Sequence, residues 1–326
     1  MKKLHNKSAV PNVSQGWKND CSALPFSRKK AEALTELSES SRPQQLVDLL
    51  GRKQIRVREL TGNPILHWPI SLSPLDARGL KTGPSYESWH KAQVGRTGLS
   101  GNFFGIKSGR HHPVHSALEA RLRASFDMCP YVLDIRTQYP SWDKAEYERY
   151  FLQGRKFPKN RVMTIDFMLT LLLPGETCVQ YHGVSGKPRR LMDEPAVISR
   201  HAREVLQLGE WGCTHEVLDE HAVSYCEYAN YCLLKSWLLW TDIGRCSAQS
   251  AEFAGLVGRS SITGHLDRVL TVLGRRLGHS LEQAYRLFAV AAFLGYLQLD
   301  YRFRLQPSMP LCLNPAWKEA LNVRER

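Results

Sequence analysis

Three short segments carry side chains whose types could bind one divalent metal ion together. They are Ser116-Ala117-Leu118-Glu119, Thr164-Ile165-Asp166-Phe167 and Gln180-Tyr181-His182. Hydrolysis of a phosphodiester by water requires an anionic pocket for a hard cation, because the metal lowers the pKa of water and neutralises charge in the transition state. Carboxylate and amide oxygens suit such a cation. Glu119, Asp166 and Gln180 are therefore predicted to bind Mg²⁺, with Mn²⁺ as a substitute.

The predicted secondary structure brings these side chains towards one another. Gln180 and His182 alternate along a strand and are expected to share one of its faces. Asp166 lies on the preceding strand, in an apolar run where a carboxylate opposes strand propensity and normally needs a metal or a cation. Glu119, at the start of the first helix, is expected to complete the metal site.

Each of these residues also has a structural interpretation. Ser116-x-x-Glu119 is typical of a capping box, in which Glu119 accepts a backbone N–H at the start of a helix. Gln180 alone is typical of a polar residue on an edge strand, and His182 is typical of a hydrogen-bonded histidine at a strand end. The order of helix with Glu, strand with Asp and strand with Gln favours the functional interpretation.

The elements around these motifs predict an α/β fold. Strands are predicted over residues 132–138, 162–173, 178–182 and 214–218. One predicted helix carries the apolar residues Leu118, Leu122 and Phe126, and another spans 195–209. Residues 141–160 are interpreted as a polar, hairpin-like insertion. This order favours a mixed sheet with flanking helices.

The C-terminal third is predicted to be mainly helical. Ser280-Leu281-Glu282-Gln283 has the form of a capping box at the start of a helix that Gly295 ends. Apolar and polar residues then alternate over 297–305, which predicts a strand and one arm of a wing. Several helices followed by a strand hairpin are typical of a winged-helix domain.

The composition favours DNA as a partner. The chain has a formal net charge of +13, and residues 1–110 account for ten of these positive charges. The eight cysteines include no Cys-x-x-Cys pair, which argues against structural zinc and a disulfide scaffold and favours a reducing, cytoplasmic location. No export signal or membrane span is predicted, since the longest apolar stretch, 287–299, is too short.

Three segments are predicted along the chain: a basic, partly ordered arm over 1–82 with one helical candidate near 43–50, a catalytic domain over 83–220, and a winged-helix-like domain over 221–326. Glycine, aromatic and basic residues concentrate in 83–110. This composition suits a loop along a phosphate backbone, and it equally suits an irregular solvated loop. The predicted DNA contacts are Lys107, Arg110, Arg189 and Arg190.

Seven short motifs follow one another along the chain. They are Lys107-x-Gly109-Arg110, Ser116-x-x-Glu119, Gln138-Tyr139-Pro140, Thr164-x-Asp166-Phe167, Gln180-x-His182, Gly212-Cys213-Thr214-His215-Glu216 and Phe293-Leu294-Gly295-Tyr296-Leu297. By these motifs the chain resembles the TnsA family, the endonuclease subunit of heteromeric cut-and-paste transposases in bacteria. The resemblance implies a restriction-endonuclease-like core followed by a winged-helix domain.

The same resemblance implies a function and partners. Glu119, Asp166 and Gln180 would bind Mg²⁺, and the protein would nick one strand of double-stranded DNA at each transposon end. A separate TnsB-like integrase would cut and join the other strand, with a TnsC-like ATPase as a regulatory partner.

His182 departs from the family, whose members carry lysine at this position. Lysine, with an ordinary pKa of about 10.4, is cationic at pH 7, whereas histidine, at about 6.5, is mostly neutral. Three outcomes follow from this difference. His182 acts as a neutral donor or base, Lys187 supplies the positive charge, or the site binds metal and DNA without cutting.

Two rival functions belong to other classes of protein. One is a catalytically impaired, DNA-binding scaffold that docks the partner transposase. The other is a winged-helix transcriptional regulator, for which Arg268, Arg275 and Arg276 would lie on a recognition helix, although a solvated helix face is the favoured explanation of these arginines.

Overall fold

The computed structural model describes residues 55–60, 62, 64–92 and 100–323, without the side chains of residues 322 and 323. These residues group into two compact units. The first comprises the residues up to Leu60, Leu72–Ala120 and Val132–Ala222, and the second comprises Thr61–Ser71, Arg121–Tyr131 and Val223–Arg326. The helical candidate near residues 43–50 and most of the predicted arm lie outside the described residues.

The first unit contains every strand of the described chain: β1 Gly101–Gly105, β2 Arg110–Val114, β3 Val132–Ser141, β4 Met163–Leu171, β5 Gln180–Gly186 and β6 Thr214–Leu218. β1 and β2 form an antiparallel hairpin. The other four strands form a sheet of order β3-β4-β5-β6, in which β3, β4 and β5 are antiparallel and β6 is parallel to β5. The chain is therefore a mixed α/β protein.

The third predicted strand starts and ends later along the chain than expected. β4 and β5 pair with Phe167 opposite Val184, and their last pair is Leu171 with Gln180. β5 thus begins at Gln180, after the connection 172–179, and continues to Gly186. This register determines which residues of β5 lie beside Asp166.

Eight α-helices are described: α1 Ala117–Met128, α2 Lys144–Leu152, α3 Pro195–Gly209, α4 Tyr225–Leu238, α5 Ile243–Arg259, α6 Leu266–Arg276, α7 Leu281–Leu294 and α8 Pro315–Val323. The bounds of α3 match the prediction. In the part of the chain that the structure describes, none of these helices has both the length and the apolar character needed to cross a membrane.

Helix α2 replaces the predicted hairpin-like insertion. The Asp143 side chain accepts a 2.6 Å hydrogen bond from the backbone N–H of Glu146 and thereby caps the helix. Tyr147 and Phe151, four residues apart, then bury one face of the helix. The prediction of a hairpin was wrong because the many polar residues of this segment were given more weight than Tyr147 and Phe151, whose spacing of one helical turn indicates a helix.

The core of the first unit is rich in aromatic residues. Its buried members are Leu80, Tyr86, Trp89, Tyr139, Trp142, Tyr147, Phe151, Phe157, Ile165, Met168, Leu208, Trp211 and Cys213. Helix α3 approaches the sheet closely at Gly183, where an added Cβ would collide with the side chain of Leu208. A glycine in the middle of β5 is therefore what allows α3 to pack next to the strand that carries Ser185.

The second unit is helical and has its own core around α7, which is buried along most of its length. The predicted capping box is confirmed: Ser280 and Gln283 exchange side chain to backbone hydrogen bonds at the start of α7. Gly295 ends the helix with φ +87°, as predicted. Residues 61–71 join this unit, where the Leu66 N–H donates to the Leu294 carbonyl at 2.8 Å.

The strand predicted over 297–305 is absent from the described structure. In this region only Leu299 forms an isolated antiparallel bridge, with Leu313. Asp300 instead organises a turn, because its carboxylate accepts the backbone N–H of Arg302 at 3.2 Å and its carbonyl accepts the N–H of Phe303 at 3.1 Å. The alternating pattern was misleading because a local Asp turn competes with strand pairing.

We predict that replacing Gly295 by alanine destabilises the second unit more than replacing Gly278. Both glycines have positive φ, +87° and +74°, so both substitutions cost about 1–2 kcal/mol of backbone strain. At Gly295 the new Cβ would also collide with the Pro64 carbonyl oxygen, whereas at Gly278 it meets nothing within 4 Å. Gly295→Ala should lose at least about 1 kcal/mol more than Gly278→Ala in urea unfolding. Equal losses would contradict the described packing of residue 64.

Candidate functional site

Glu119 lies in the first turn of α1, and its carboxylate is engaged in helix capping. Ser116 Oγ accepts the Glu119 N–H at 3.1 Å, and the Ser116 hydroxyl donates to Glu119 Oε1 at 3.0 Å. The backbone N–H of His115 donates to Oε2 at 2.9 Å. The capping interpretation of Ser116-x-x-Glu119 is thus confirmed, and it holds the buried carboxylate in one orientation.

Asp166 lies near the start of β4, at the end of the sheet where β5 finishes. The backbone N–H of Gly186 donates to Asp166 Oδ2 at 2.8 Å. Gly186 is the last residue of β5 and is followed directly by Lys187. The hairpin register therefore puts Asp166 beside the segment 185–187.

Glu119 and Asp166 act on each other electrostatically. Burial and then the charge of Asp166 raise the pKa of Glu119 to about 7, although the hydrogen bonds from His115 and Ser116 oppose this rise. Burial also raises the pKa of Asp166, against the nearby charge of Lys187. Two carboxylates share a poorly solvated site, so each makes ionisation of the other less favourable.

Lys187 supplies the positive charge of this site. Its charge lowers the pKa of both Asp166 and Glu119, so it lies within electrostatic range of both. Of the five residues predicted for the site, Glu119, Asp166 and Lys187 come together.

Gln180 does not join them, and its prediction as a metal ligand is corrected. It pairs with Leu171, five residues along β4 from Asp166, which corresponds to roughly 17 Å at about 3.4 Å per residue. Its side chain is buried, and Oε1 has no hydrogen-bond partner among the described residues. The reason for the correction is the register, which puts the start of β5 at the far end of the β4–β5 hairpin from Asp166.

His182 is likewise corrected, from a catalytic group to a buried structural one. Its Nδ1 lies 2.8 Å from Thr214 Oγ1, and its Nε2 lies 3.1 Å from Glu216 Oε1. Glu216 Oε1 also accepts the Val57 N–H at 3.0 Å. Burial lowers the pKa of His182, although its bond with Glu216 opposes this. His182 is therefore a hydrogen-bonded core histidine on the face of the sheet that Glu216 occupies.

Two predicted DNA contacts, Lys107 and Arg110, are buried and tie the β1–β2 hairpin region to β3. Lys107 Nζ donates to the Val132 carbonyl at 2.7 Å. Arg110 stacks over the Tyr86 ring at 4.7 Å and donates to the carbonyl of Gly83 at 3.0 Å and to that of Ile135. These cations satisfy backbone carbonyls in the interior and are corrected from DNA contacts to structural residues.

The other two predicted DNA contacts, Arg189 and Arg190, are exposed and lie two and three residues beyond Lys187. The Arg189 side chain is 72% exposed and forms a long 3.9 Å ion pair with Asp219. Both arginines are therefore accessible from solvent, and their prediction as DNA contacts stays a prediction.

The sequence analysis missed a buried polar network beside this site. Glu204 on α3 is fully buried and accepts a 2.9 Å bond from Arg200 Nε and another from Ser185 Oγ. His215 Nε2 lies 3.2 Å from Glu204 Oε2 and 3.2 Å from Ser185 Oγ. The signal was present in Arg200-x-x-x-Glu204, an i, i+4 pair whose glutamate interrupts the apolar side of α3.

Charge keeps Glu204 ionised. Burial raises its pKa, but the hydrogen bonds and charges of His215 and Arg200 outweigh burial and lower the pKa to about 2. The pKa values of Glu204 and Glu119 are thus shifted in opposite directions: Arg200 and His215 outweigh burial at Glu204, whereas at Glu119 burial and the charge of Asp166 outweigh the opposing charge of Lys187.

Two histidines beside the site have buried ring nitrogens without partners among the described residues. The nitrogens without a partner are Nδ1 and Nε2 of His115 and Nε2 of His201. Burial lowers the pKa of both imidazoles, and the charge of Asp166 opposes this at His115 as that of Glu204 does at His201. Buried polar atoms of this kind require water or a ligand.

The carboxylate pair fits a hard divalent cation, although it offers few ligands. Among the described residues, no three His, Cys, Asp or Glu side chains are arranged to hold a metal ion. Mg²⁺ nevertheless commonly binds through one or two carboxylates together with water and substrate phosphates. Glu119 and Asp166 supply two such carboxylates, and burial together with the charge of Asp166 disfavours ionised Glu119 in the metal-free site.

We predict a pH-dependent cost of ionising Glu119 in metal-free protein. An unfolded glutamate ionises near 4.5, whereas Glu119 in the fold ionises near 7. A raised carboxylate pKa stabilises the fold below about 4.5, and this stabilisation is lost as the pH rises through 7. With EDTA present, the melting temperature of Glu119→Gln relative to the parent should therefore rise between pH 5 and pH 8.

The exposed Glu176→Gln is the matched control and should show no such change, since it lies in open solvent in the same unit. Adding Mg²⁺ at pH 8 should stabilise the parent more than Glu119→Gln. If the melting temperatures of Glu119→Gln and the parent differ by the same amount at pH 5 and at pH 8, the proposed interaction between the two carboxylates is wrong.

The comparisons with protein families and with curated proteins found no relative of this chain. No protein-family model matches the sequence, and no curated protein is significantly similar to it.

Proposed function

We propose that this protein is a metal-dependent DNA endonuclease, the strand-nicking subunit of a TnsA-like heteromeric transposase. The observation that carries the proposal is the meeting of Glu119, Asp166 and Lys187 at one end of the sheet, with both carboxylate pKa values raised and Lys187 acting on each. Two acids and a lysine on a helix and two antiparallel strands suit phosphodiester hydrolysis. In this proposal Lys187, and not His182, is the cation of the site.

The fold supports a finer proposal for each unit. A helix that opens with the acid Glu119, three antiparallel strands and a helix crossover to a parallel strand suit a restriction-endonuclease-like core. The helices α5, α6 and α7 of the second unit suit a winged-helix-like domain, with the bridges His265–Pro310 and Leu299–Leu313 in place of an extended wing. Exposed Arg268, Arg275 and Arg276 on α6 are available to DNA in this arrangement.

The roles of the residues follow from their charges. Glu119 and Asp166 would hold Mg²⁺, which when bound lowers the pKa of water and neutralises charge on the phosphate. Lys187 would contact a non-bridging phosphate oxygen, and Arg189 and Arg190 would hold the flanking phosphates of double-stranded DNA. The capping bonds from His115 and Ser116 would keep the Glu119 carboxylate directed at the metal.

The proposed partners are a TnsB-like integrase, which would cut and join the second strand, and a TnsC-like ATPase. Mn²⁺ would substitute for Mg²⁺, since carboxylates suit both ions. None of the seven cysteines of the described residues forms a disulfide, which supports the proposal of a cytoplasmic site of action.

We predict that Asp166→Ala and Lys187→Ala abolish nicking, whereas Gln180→Met preserves it. Asp166→Ala removes a metal ligand, and Lys187→Ala removes a cation worth about a hundredfold or more in rate. Gln180→Met is the matched control, because it removes an amide oxygen that has no hydrogen-bond partner in the described structure. The assay is Mg²⁺-dependent nicking of transposon-end DNA in the presence of the proposed TnsB-like integrase.

If Asp166→Ala cleaves DNA at the same rate as the parent, the proposed nuclease site is wrong. Loss of cleavage in Gln180→Met, with a melting temperature unchanged, would show that the register-based site is wrong.

A catalytically impaired scaffold is the second candidate, and two observations favour it. No third carboxylate or histidine completes the metal site within the described chain, and Ser185 stands two residues before Lys187, where it bonds Glu204. A parent protein that binds end DNA and the integrase but neither nicks nor binds Mn²⁺ would support the scaffold over the nuclease.

A further inference from the structure

Glu204 is a fully buried carboxylate that makes three hydrogen-bonded contacts and belongs to none of the roles above. It is held by Ser185 Oγ at 2.9 Å, Arg200 Nε at 2.9 Å and His215 Nε2 at 3.2 Å. Ser185 lies on β5 and His215 on β6, while Glu204 and Arg200 lie one turn apart on α3. One side chain of α3 is thus bonded to two neighbouring strands.

Arg200 extends this contact to the third strand. Its Nη2 donates to the Thr164 carbonyl on β4 at 2.9 Å, two residues before Asp166. Its Nε is bonded to Glu204, so the guanidinium bridges α3 and β4. The backbone that carries Asp166 is therefore fixed to the same helix as the backbone that carries Ser185.

The proposed site lies between these two anchor points. Ser185 is followed by Gly186, whose N–H holds Asp166 Oδ2 at 2.8 Å, and then by Lys187. Movement of residue 185 would shift both the donor to Asp166 and the lysine beside it. Movement of residue 164 would shift Asp166 from the other side.

Stability alone is a weak explanation for such a network. A buried ion pair gains little over an apolar replacement, because desolvation offsets most of the attraction. Around a metal site, by contrast, the residues that orient the ligands commonly affect metal affinity as strongly as activity. Three occupied contacts also leave Glu204 poorly placed to act as a metal ligand itself.

We infer that Glu204 and Arg200 together position Asp166 and Lys187 for metal binding and strand cleavage, by fixing β4 and β5 to α3 on both sides of the acid. The inference rests on the proposed nuclease function and adds two positioning residues to it. Neither residue contacts the scissile phosphate in this assignment.

The test measures Mn²⁺ binding to the full-length protein by electron paramagnetic resonance, at a temperature well below the melting point of every variant. The variants are Glu204→Gln, Arg200→Gln and Ser185→Ala, with Asp166→Asn as the ligand-removal reference. Arg203→Gln is the matched control, since Arg203 is an exposed arginine on the same helix.

We expect about tenfold weaker Mn²⁺ binding in Glu204→Gln and in Arg200→Gln, no change in Arg203→Gln, and no binding in Asp166→Asn. The double variant Arg200→Gln/Glu204→Gln should bind about as weakly as either single variant, because the two side chains act as one unit. In DNA nicking, the same variants should lower kcat and leave KM for DNA unchanged. A purely structural role would lower the melting temperature and leave Mn²⁺ affinity intact.

The outcomes separate this inference from the proposed function. Suppose that the parent binds Mn²⁺ and nicks DNA, but that Glu204→Gln and Arg200→Gln bind Mn²⁺ as tightly as Arg203→Gln does. The positioning role of Glu204 and Arg200 is then wrong, and the proposed nuclease function is supported. If the parent neither binds Mn²⁺ nor nicks, both are overturned. If Glu204→Gln abolishes binding while Arg200→Gln has no effect, Glu204 is itself a ligand and the inference fails. Should Glu204→Gln not fold, Arg200→Gln and Ser185→Ala decide by the same criteria.

Discussion

Backbone hydrogen bonds between β4 and β5 hold Phe167 opposite Val184, and this pairing determines which side chains can meet Asp166. The neighbours of Asp166 are consequently Ser185 and Gly186 at the end of β5 and Lys187 directly after it. A displacement of five residues along a strand, roughly 17 Å, is far greater than a metal–ligand bond of about 2.1 Å. Gln180 is therefore excluded by the backbone whatever its chemistry. The capped start of α1 then brings Glu119 to the same end of the sheet, so the chemistry of the site follows from the register of one hairpin.

Features that depend on local chemistry could be predicted from the sequence. The bounds of α3 and β6, the capping box at Ser280 and the helix end at Gly295 all follow from short-range periodicity and capping. Register is different, because it depends on a whole connection rather than on any one motif. Counting outwards from the turn at Pro174-Gly175 puts residues near 184 opposite Asp166. This count predicts the approximate register of the hairpin, whereas the Gln180-x-His182 motif suggested a different one. Residues 61–71 and 121–131 join the second unit through contacts distant in sequence, which no local pattern indicates.

Lys107 and Arg110 show why composition alone was wrong for two of the four predicted DNA contacts. Lys107 and Arg110 stand among glycines and aromatics, a setting that also occurs where a chain lies along a phosphate backbone. In the structure the same donors satisfy carbonyl oxygens of β3 and of Gly83, and Tyr86 covers the guanidinium of Arg110. A cation that finds backbone acceptors inside the protein is as well satisfied as one that finds phosphates outside it. Burial distinguishes the two cases, and burial is a property of the fold.

Glu119 and Glu204 show how one residue type can take two roles within one site. Each is buried, and burial alone would raise the pKa of both. Glu204 is surrounded by Arg200 and His215, which lower its pKa to about 2 and hold it as an anion that needs nothing further. Glu119 has a neighbouring carboxylate instead, so its pKa rises to about 7 and its charge is tolerated only if another cation arrives. The first glutamate is thus suited to holding strands in place and the second to binding a metal ion. The electrostatic surroundings, rather than the residue type, distinguish the structural glutamate from the proposed metal ligand.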